Sequence, residues 1–451
     1  MEIENSALYR DILSVINSGA KQVHYTWKAT VHIGNRDVEV LKVVERDTLM
    51  EFDNKYAAET MLAVEVGLGT YAYQLYPNRE RLEITLTRYP IGEVGDAPNT
   101  EAATETVRYT AVLVELGDVT LEGNTANTAS EESLNLVRLV TVEFQLVDKV
   151  MEQLRAISIG MTPRNVKIED AVKAILTNVS QQVDVDESMR PQGVSMVKAS
   201  NQTKYDHIVI DHHGIRLVQL PAYLQQKYGI YSAGLGYFYH QHRWHLYPRY
   251  NVEREMDSGT SLTIINVPKN RFPGSERTYQ QVGSHVTILA TGDVKMEDLS
   301  TMAQLNAGNG VRFVDANNFM EEFFVTKNNK TVASRARNVS EFTGVERDNG
   351  MNNVRSSDNY ITANAFVEYS KLAERNGAYF SMRWEHSDQS LIVPGMVAKI
   401  LYLDNGEIKE IRGSLLKAHH FDQMAGEGYT RTRYYSHSVL VFFVERSLPA
   451  K

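Results

Sequence analysis

Residues Leu134–Ile157 read LNLVRLVTVEFQLVDKVMEQLRAI. Up to Asp148 the apolar period is two, with Val140, Val142, Phe144 and Leu146 on one face and polar residues between them. This alternation predicts a half-buried strand. After Asp148 the period lengthens, and Val150, Met151, Leu154 and Ile157 recur at helical spacing. A β unit therefore ends near residue 148 and a helix-containing unit begins. The sequence on each side of this switch sets the fold class.

On the N-terminal side, Leu8, Ile12, Val15 and Ile16 share one helix face after a possible Ser6 cap, and NSG at 17–19 stops that helix. From Lys21 the period is again two. RLEITLTRYP sets Leu82, Ile84 and Leu86 against Glu83, Thr85 and Thr87, and TVRYTAVLVEL behaves similarly. The turn-rich segments PIGEVGDAPNTEA and EGNTANTASEES separate these runs, the pattern of an antiparallel barrel or sandwich over 1–149.

On the C-terminal side, Ile168, Val172, Ile175, Leu176 and Val179 form a second helical stripe with Glu169 and Asp170 in its first turn. A third helix has Pro221 near its start, Lys227 in its last turn and Gly229 just beyond. Residues 150–258 thus read as a small α/β unit. Strands return over 259–451 in TSLTIINVP, GSHVTILATGDV, VPGMVAKILYLDNGEIKEIRGSLLKAHH and SHSVLVFFVE. Within them Asn405-Gly406 is a two-residue hairpin signal. An insertion at about 295–375 interrupts this second β unit. Its stretch Lys327–Tyr360 is rich in Asn, Ser and Arg and reads as a long loop, whose Arg335, Arg337, Arg347 and Arg355 suit carboxylates on a partner. The fold class expected is mainly β (α+β), two antiparallel barrels flanking a small α/β domain.

Composition narrows the function. The chain has 451 residues, 47 basic against 56 acidic, and a net charge of −9, which disfavours a general nucleic-acid binder. With no cysteine, disulfides, thiolate metal sites and Cys nucleophiles are excluded. The acidic N-terminus lacks the apolar core of a signal peptide, and no apolar run reaches the length of a membrane span.

His240, His242 and His245 form the densest cluster of metal-ligand residue types. In one straight strand, His240 and His242 share a face and His245 points away; if the chain turns near His242, that residue sits at the tip. Neither arrangement converges three ligands on one ion. His212-His213 and His419-His420 are adjacent pairs with the same weakness. Glu385, His386, Ser387 and Asp388 are sequence neighbours, whereas triads assemble from separate elements. GLGTYAY and NAGNGVRF lack the strand–turn–helix context of a phosphate loop, and no GxxxxGK[ST], HExxH or GxSxG occurs. No catalytic, cofactor-binding or metal residue is assigned, no cofactor is expected, and the chain reads as not an enzyme.

Four passages together resemble the central baseplate hub proteins of contractile-tailed bacteriophages, whose fold recurs in type VI secretion spike proteins. LAVEVGLGTYAYQLYPNRERLEITLTRYP looks like a strand pair entering a first barrel. LVRLVTVEFQLVDKVMEQLRAISIGMTPRNVKIEDAVKAILTNV is similar to the handover from the last barrel strand to paired helices. VQLPAYLQQKYGIYSAGLGYFYHQHRWHLYP resembles the helix-plus-hairpin of the middle domain, and LIVPGMVAKIL, IRGSLLKAHH and YYSHSVLVFFVE look like strands closing a second barrel. The resemblance implies a non-catalytic homotrimer of six barrels that joins a hexameric tail tube above to a trimeric spike below. It also implies wedge proteins around the hub, DNA and tape-measure protein passing through its channel, and a place in the virion tail baseplate after assembly in the host cytoplasm. Other tail-tip or wedge proteins, and a β-rich metal-dependent or carbohydrate-active enzyme, are the alternatives.

Overall fold

The structure is a computed structural model. It describes residues 7–17, 24–52, 55–91, 105–114, 139–211, 214–254, 261–268, 277–298, 312–314, 326–327, 330–331, 333–335, 341–344, 365–375, 377–404, 407–425 and 434–445.

The first β unit contains β1 (His24–Ile33), β2 (Arg36–Glu39), β3 (Lys42–Glu51), β4 (Glu59–Gly67), β5 (Leu82–Ile91), β6 (Glu105–Leu113) and β7 (Leu139–Asp148). They pair antiparallel in the order β2-β1-β5-β6-β7-β4-β3. Leu82, Ile84, Leu86, Val142, Phe144 and Leu146 all face its core, as their alternation requires. Each such fully buried side chain contributes about 1.5–3 kcal/mol over its exposed state. The passage read as a strand pair, β4 and β5, is not one: the two strands are separated by a helical turn α2 (Leu68–Thr70) that continues irregularly to Asn78. β4 pairs with β3 and β7, whereas β5 pairs with β1 and β6.

Asp148 ends β7 and caps α3 (Lys149–Ala156), its Oδ1 accepting from Val150 N at 2.8 Å and Met151 N at 3.0 Å. This carboxylate is the physical form of the period switch, since it satisfies N–H groups that a new helix leaves bare. The middle region adds β8 (Ser158–Ile159), β9 (Arg164–Lys167), α4 (Ile168–Ser180), β10 (Val194–Met196), β11 (Lys204–His207), β12 (Ile215–Arg216), α5 (Leu220–Lys227), β13 (Leu235–His240) and β14 (Arg243–Pro248). β12 ends at Arg216. Leu217, Val218 and Leu220 are all buried, a spacing that a two-residue alternation cannot deliver, and the chain turns helical there. Gly229 follows α5 at φ +77°, and a Cβ there would lie 2.5 Å from Phe366. Both facts demand glycine.

The second β unit comprises β15 (Ser261–Val267), β16 (Tyr279–Val282), β17 (His285–Asp298), β23 (Gly377–Glu385), β24 (Val397–Asp404), β25 (Glu407–Met424) and β26 (Tyr434–Glu445). Six of them close a barrel in the order β25-β24-β15-β17-β23-β26, with β26 returning to β25. The molecule is mainly β, as expected, but this barrel is not purely antiparallel. β15 runs parallel to both β17 and β24. Parallel neighbours are joined by crossovers rather than tight turns, and β16 lies within the connection from β15 to β17. Asp404 pairs with Glu407, which fits a two-residue hairpin, although Asn405 and Gly406 lie outside the described residues.

Within the insertion, β18 (Arg312–Val314), β21 (Ala333–Arg335) and β22 (Glu341–Gly344) form a small antiparallel sheet, and β19 (Thr326–Lys327) pairs with β20 (Lys330–Thr331). The expectation of a long loop over Lys327–Tyr360 is therefore corrected for Lys327, β20, β21 and β22. Short β pairings satisfy backbone groups without any apolar periodicity. Arg335 lies on β21, while Arg337, Arg347 and Arg355 fall outside the described residues. Two helices flank the barrel: α1 (Ala7–Ile16) lays Val15 on Ile265 and Leu289, and α6 (Ala365–Arg375) precedes β23.

The two β units are one continuous sheet. β25 has 18 residues, roughly 60 Å at the usual strand rise. Its first part pairs with β24, and residues 417–423 pair with β3 of the first unit. A bulge between Leu415 and Lys417 marks the passage, turning Leu415 into the barrel core and Leu416 toward Tyr250 and Phe443. At the start of β26, Tyr434 enters the first core and donates to the Val43 carbonyl at 2.6 Å.

Candidate functional site

Where β25 crosses, charged residues take up the inward phase of apolar strands. On β5 the buried series Leu82, Ile84, Leu86 continues with Arg88; on β25 it runs Ala418, His420, Asp422. Arg88 Nη2 donates to Asp388 Oδ1 at 2.9 Å, and both side chains are 7% exposed. Arg46 Nη1 donates to Gln389 Oε1 at 2.7 Å and to Asp422 Oδ2 at 3.3 Å. Arg88 lies 3.4 Å from the centre of the Tyr25 ring and Arg46 lies 4.4 Å from that of Trp27. Each arginine comes from the first unit and each carboxylate from the second.

Burial pushes the Asp388 carboxyl up, but Arg88 and the Ser390 hydroxyl and N–H outweigh it and hold the group below its ordinary range. Burial, then Asp388, raises the Tyr25 hydroxyl. Beside them the His420 imidazole is pushed down to about 3 by burial and by Arg46. Its Nδ1 bonds Ser438, while Nε2 is buried with no partner. These groups hold one another across the junction of the two units.

The histidine-rich stretch forms the β13–β14 hairpin. Gln241 and His242 occupy its turn at φ +46° and +61°, so His242 sits at the tip. The register pairs Phe238 with His245 and His240 with Arg243, which puts His240 and His245 on one face of the hairpin. On the other face, Trp244 Nε1 donates to Ser180 Oγ at 3.1 Å in the core of the middle region. Burial pushes His240 down to about 3 and His245 down to about 4. Among the described residues no group of three His, Asp or Glu is arranged to hold a metal ion.

The other candidates disperse. His419 Nε2 contacts Asp47 Oδ1 at 2.5 Å, away from the Ser438 partner of His420. Glu385 accepts from Tyr435, Ser387 accepts from Ser438, and Asp388 holds Arg88. His212-His213 and the NAGNG segment lie outside the described residues, and Gly67 leads into the helical turn at 68–78. Sequence reading missed Arg46, Arg88 and Asp422. For Arg88 the signal was phase, since it falls where the alternation Leu82, Ile84, Leu86 calls for an apolar residue.

No family model matches the sequence, and no curated protein matches it. Among solved structures, the chain is similar to a 43 kDa tail protein of prophage MuSo2 from Shewanella oneidensis, with 9% identity, a TM-score of 0.45 and coverage of 94% of this chain and 97% of that one. A tail protein from Neisseria meningitidis MC58 gives 10% identity, a TM-score of 0.41 and coverage of 94% and 97%. An E. coli component of the type VI secretion system gives 10% identity, a TM-score of 0.42 and coverage of 93% and 77%.

Proposed function

We propose that this chain is a structural subunit of a phage tail baseplate, a homotrimeric hub between a hexameric tube and a trimeric spike. The observation that supports it most is the joining of two β units through one 18-residue strand and a buried set of arginine–carboxylate pairs. An adaptor from threefold to sixfold symmetry needs two similar modules per subunit in a fixed relation, and closed rings suit such an assembly. The net charge of −9 suits a channel through which DNA slides without adhering. On this reading the chain performs no catalysis and works in the virion tail, with tube, spike and wedge proteins as partners and DNA and tape-measure protein in its channel. No helix among the described residues is long and apolar enough to cross a membrane.

Electron microscopy of the purified protein tests this. Class averages are expected to show a threefold ring with six barrel-sized densities around a channel that admits duplex DNA. A particle that stays monomeric at high concentration would overturn the hub assignment.

A further inference from the structure

The two β units share one strand order. Across the sheet the first runs β1-β5-β6-β7-β4-β3, and the second runs β15-β24-β25-β26-β23-β17. Taken in chain order these are the same arrangement, with β17 in the place of β3 and β25 in the place of β6. A local irregularity supports the match. β3 bulges against β4 between Val43 and Glu45, and β17 bulges against β23 between Thr291 and Lys295. The units differ in the direction of their first strand, since β1 is antiparallel to β5 and β15 is parallel to β24.

Inside the subunit the units meet through β3 and β25. Beyond its bulge, β3 offers the edge that β4 leaves free; beyond its pairing with β24, β25 offers the edge that β26 leaves free. Among the described residues, the counterparts of both edges carry no strand. On β17 the pairing with β15 ends at Thr291, while β23 follows the other edge to Asp298. On β6 the pairing with β5 ends at Thr110, while β7 follows the other edge to Leu113. Val114 N donates to the Glu143 carbonyl at 2.9 Å, so Leu113 turns its own N–H and carbonyl to the opposite edge. Open edges of this kind are templates for a strand from another chain.

We propose that the edge of β17 past its bulge pairs antiparallel with the edge of β6 past Thr110 in a second copy of this chain, repeating the β3–β25 seam between subunits. The occupant follows from the topology. β17 takes the place of β3 and β6 that of β25, so each open edge matches the other and not itself. Unlike edges make a head-to-tail contact, which forms a ring where the rotation closes. The inference rests on the hub assignment for the number of copies, and adds the strands by which one subunit holds the next.

The chain has no cysteine, so introduced thiols are the only ones it carries. The whole chain with Val114→Cys and Asp298→Cys is assembled and treated with a flexible bismaleimide. Covalent trimers are expected on denaturing gels, whereas either single variant stays monomeric. Hydrogen exchange over 111–114 and 292–298 is expected to slow at least about tenfold from the dilute monomer to the assembled ring, while 45–51 and 417–423 exchange alike in both states. A ring that shows neither the cross-link nor the protection overturns the pairing and leaves the hub assignment standing. Cross-linking of a single variant would mean that like edges meet, which also overturns the pairing. A chain that stays monomeric at high concentration removes the hub assignment and this contact together.

Discussion

Replacing Asp388 with Ala is expected to destabilise the protein by about 3–5 kcal/mol, the usual cost of removing one partner from a buried ion pair. Arg88 cannot follow its lost partner into water. It is 7% exposed and flanked by the Tyr25 and Trp27 rings. The double replacement Arg88→Met/Asp388→Leu is expected to recover most of the loss, because apolar side chains of similar volume often replace a buried pair at little net cost. The comparison separates two roles. If the pair only avoids an uncompensated charge, the double variant regains both stability and shape. If it also sets how the units meet, the double variant regains stability but loses order across the β3–β25 seam, read as faster hydrogen exchange at residues 45–51 and 417–423. Chemical denaturation supplies the stability figure. A single-variant loss under about 0.5 kcal/mol, the range of ordinary surface changes, would show that the seam is held by strand pairing alone.

The seam also shows which parts of the fold were legible in the sequence. Period carried local structure well. The alternation through Leu82, Ile84 and Leu86 and the helical stripe through Ile168, Val172 and Leu176 both landed on buried faces. Asp148, a good cap between two periods, stands at the strand–helix change itself. What stayed hidden was pairing between distant strands. Nothing local tells β15 to lie parallel to β24, more than a hundred residues away, although its dense apolar run SLTIINV suits a strand covered on both faces. Nor did anything local show that the second half of β25 serves a different unit from its first. The tip of the histidine hairpin stayed open for a related reason: Gln-His is not a turn pair by propensity, so a turn and a straight strand read equally well. Tertiary contacts settled it. Arg88 was legible in principle, because it continues an apolar alternation that ordinary surface charge does not join.

Stability is expected to fall as pH drops from about 6.5 toward 4, before the carboxylates titrate. The sign follows from proton linkage. Burial holds His420 down at about 3, against an ordinary value of 6.5, so between those limits the unfolded chain binds a proton that the folded chain excludes. Unfolding is then favoured by each unit of acidification, about 1.4 kcal/mol per pH unit for one such group. His240 at about 3, His245 at about 4 and His437, also lowered chiefly by burial, act in the same direction. The lowered carboxyls of Glu83, Glu169 and Asp388 withdraw their stabilisation only as pH falls through the carboxylate range. His420 is the cleanest test because it is 3% exposed: Arg46 opposes its protonation, Asp388 favours it, and His240 and His419 lie close enough to oppose it. His420→Asn retains a partner for Ser438 and does not titrate. Unfolding free energies measured by chemical denaturation in steps from pH 7 to about 4.5 are expected to fall less steeply for this variant, by about 1.4 kcal/mol per pH unit, even if its stability at pH 7 is lower. Parallel curves for parent and variant would mean that His420 gains its proton in the folded state as readily as in the unfolded chain, through a seam that admits water.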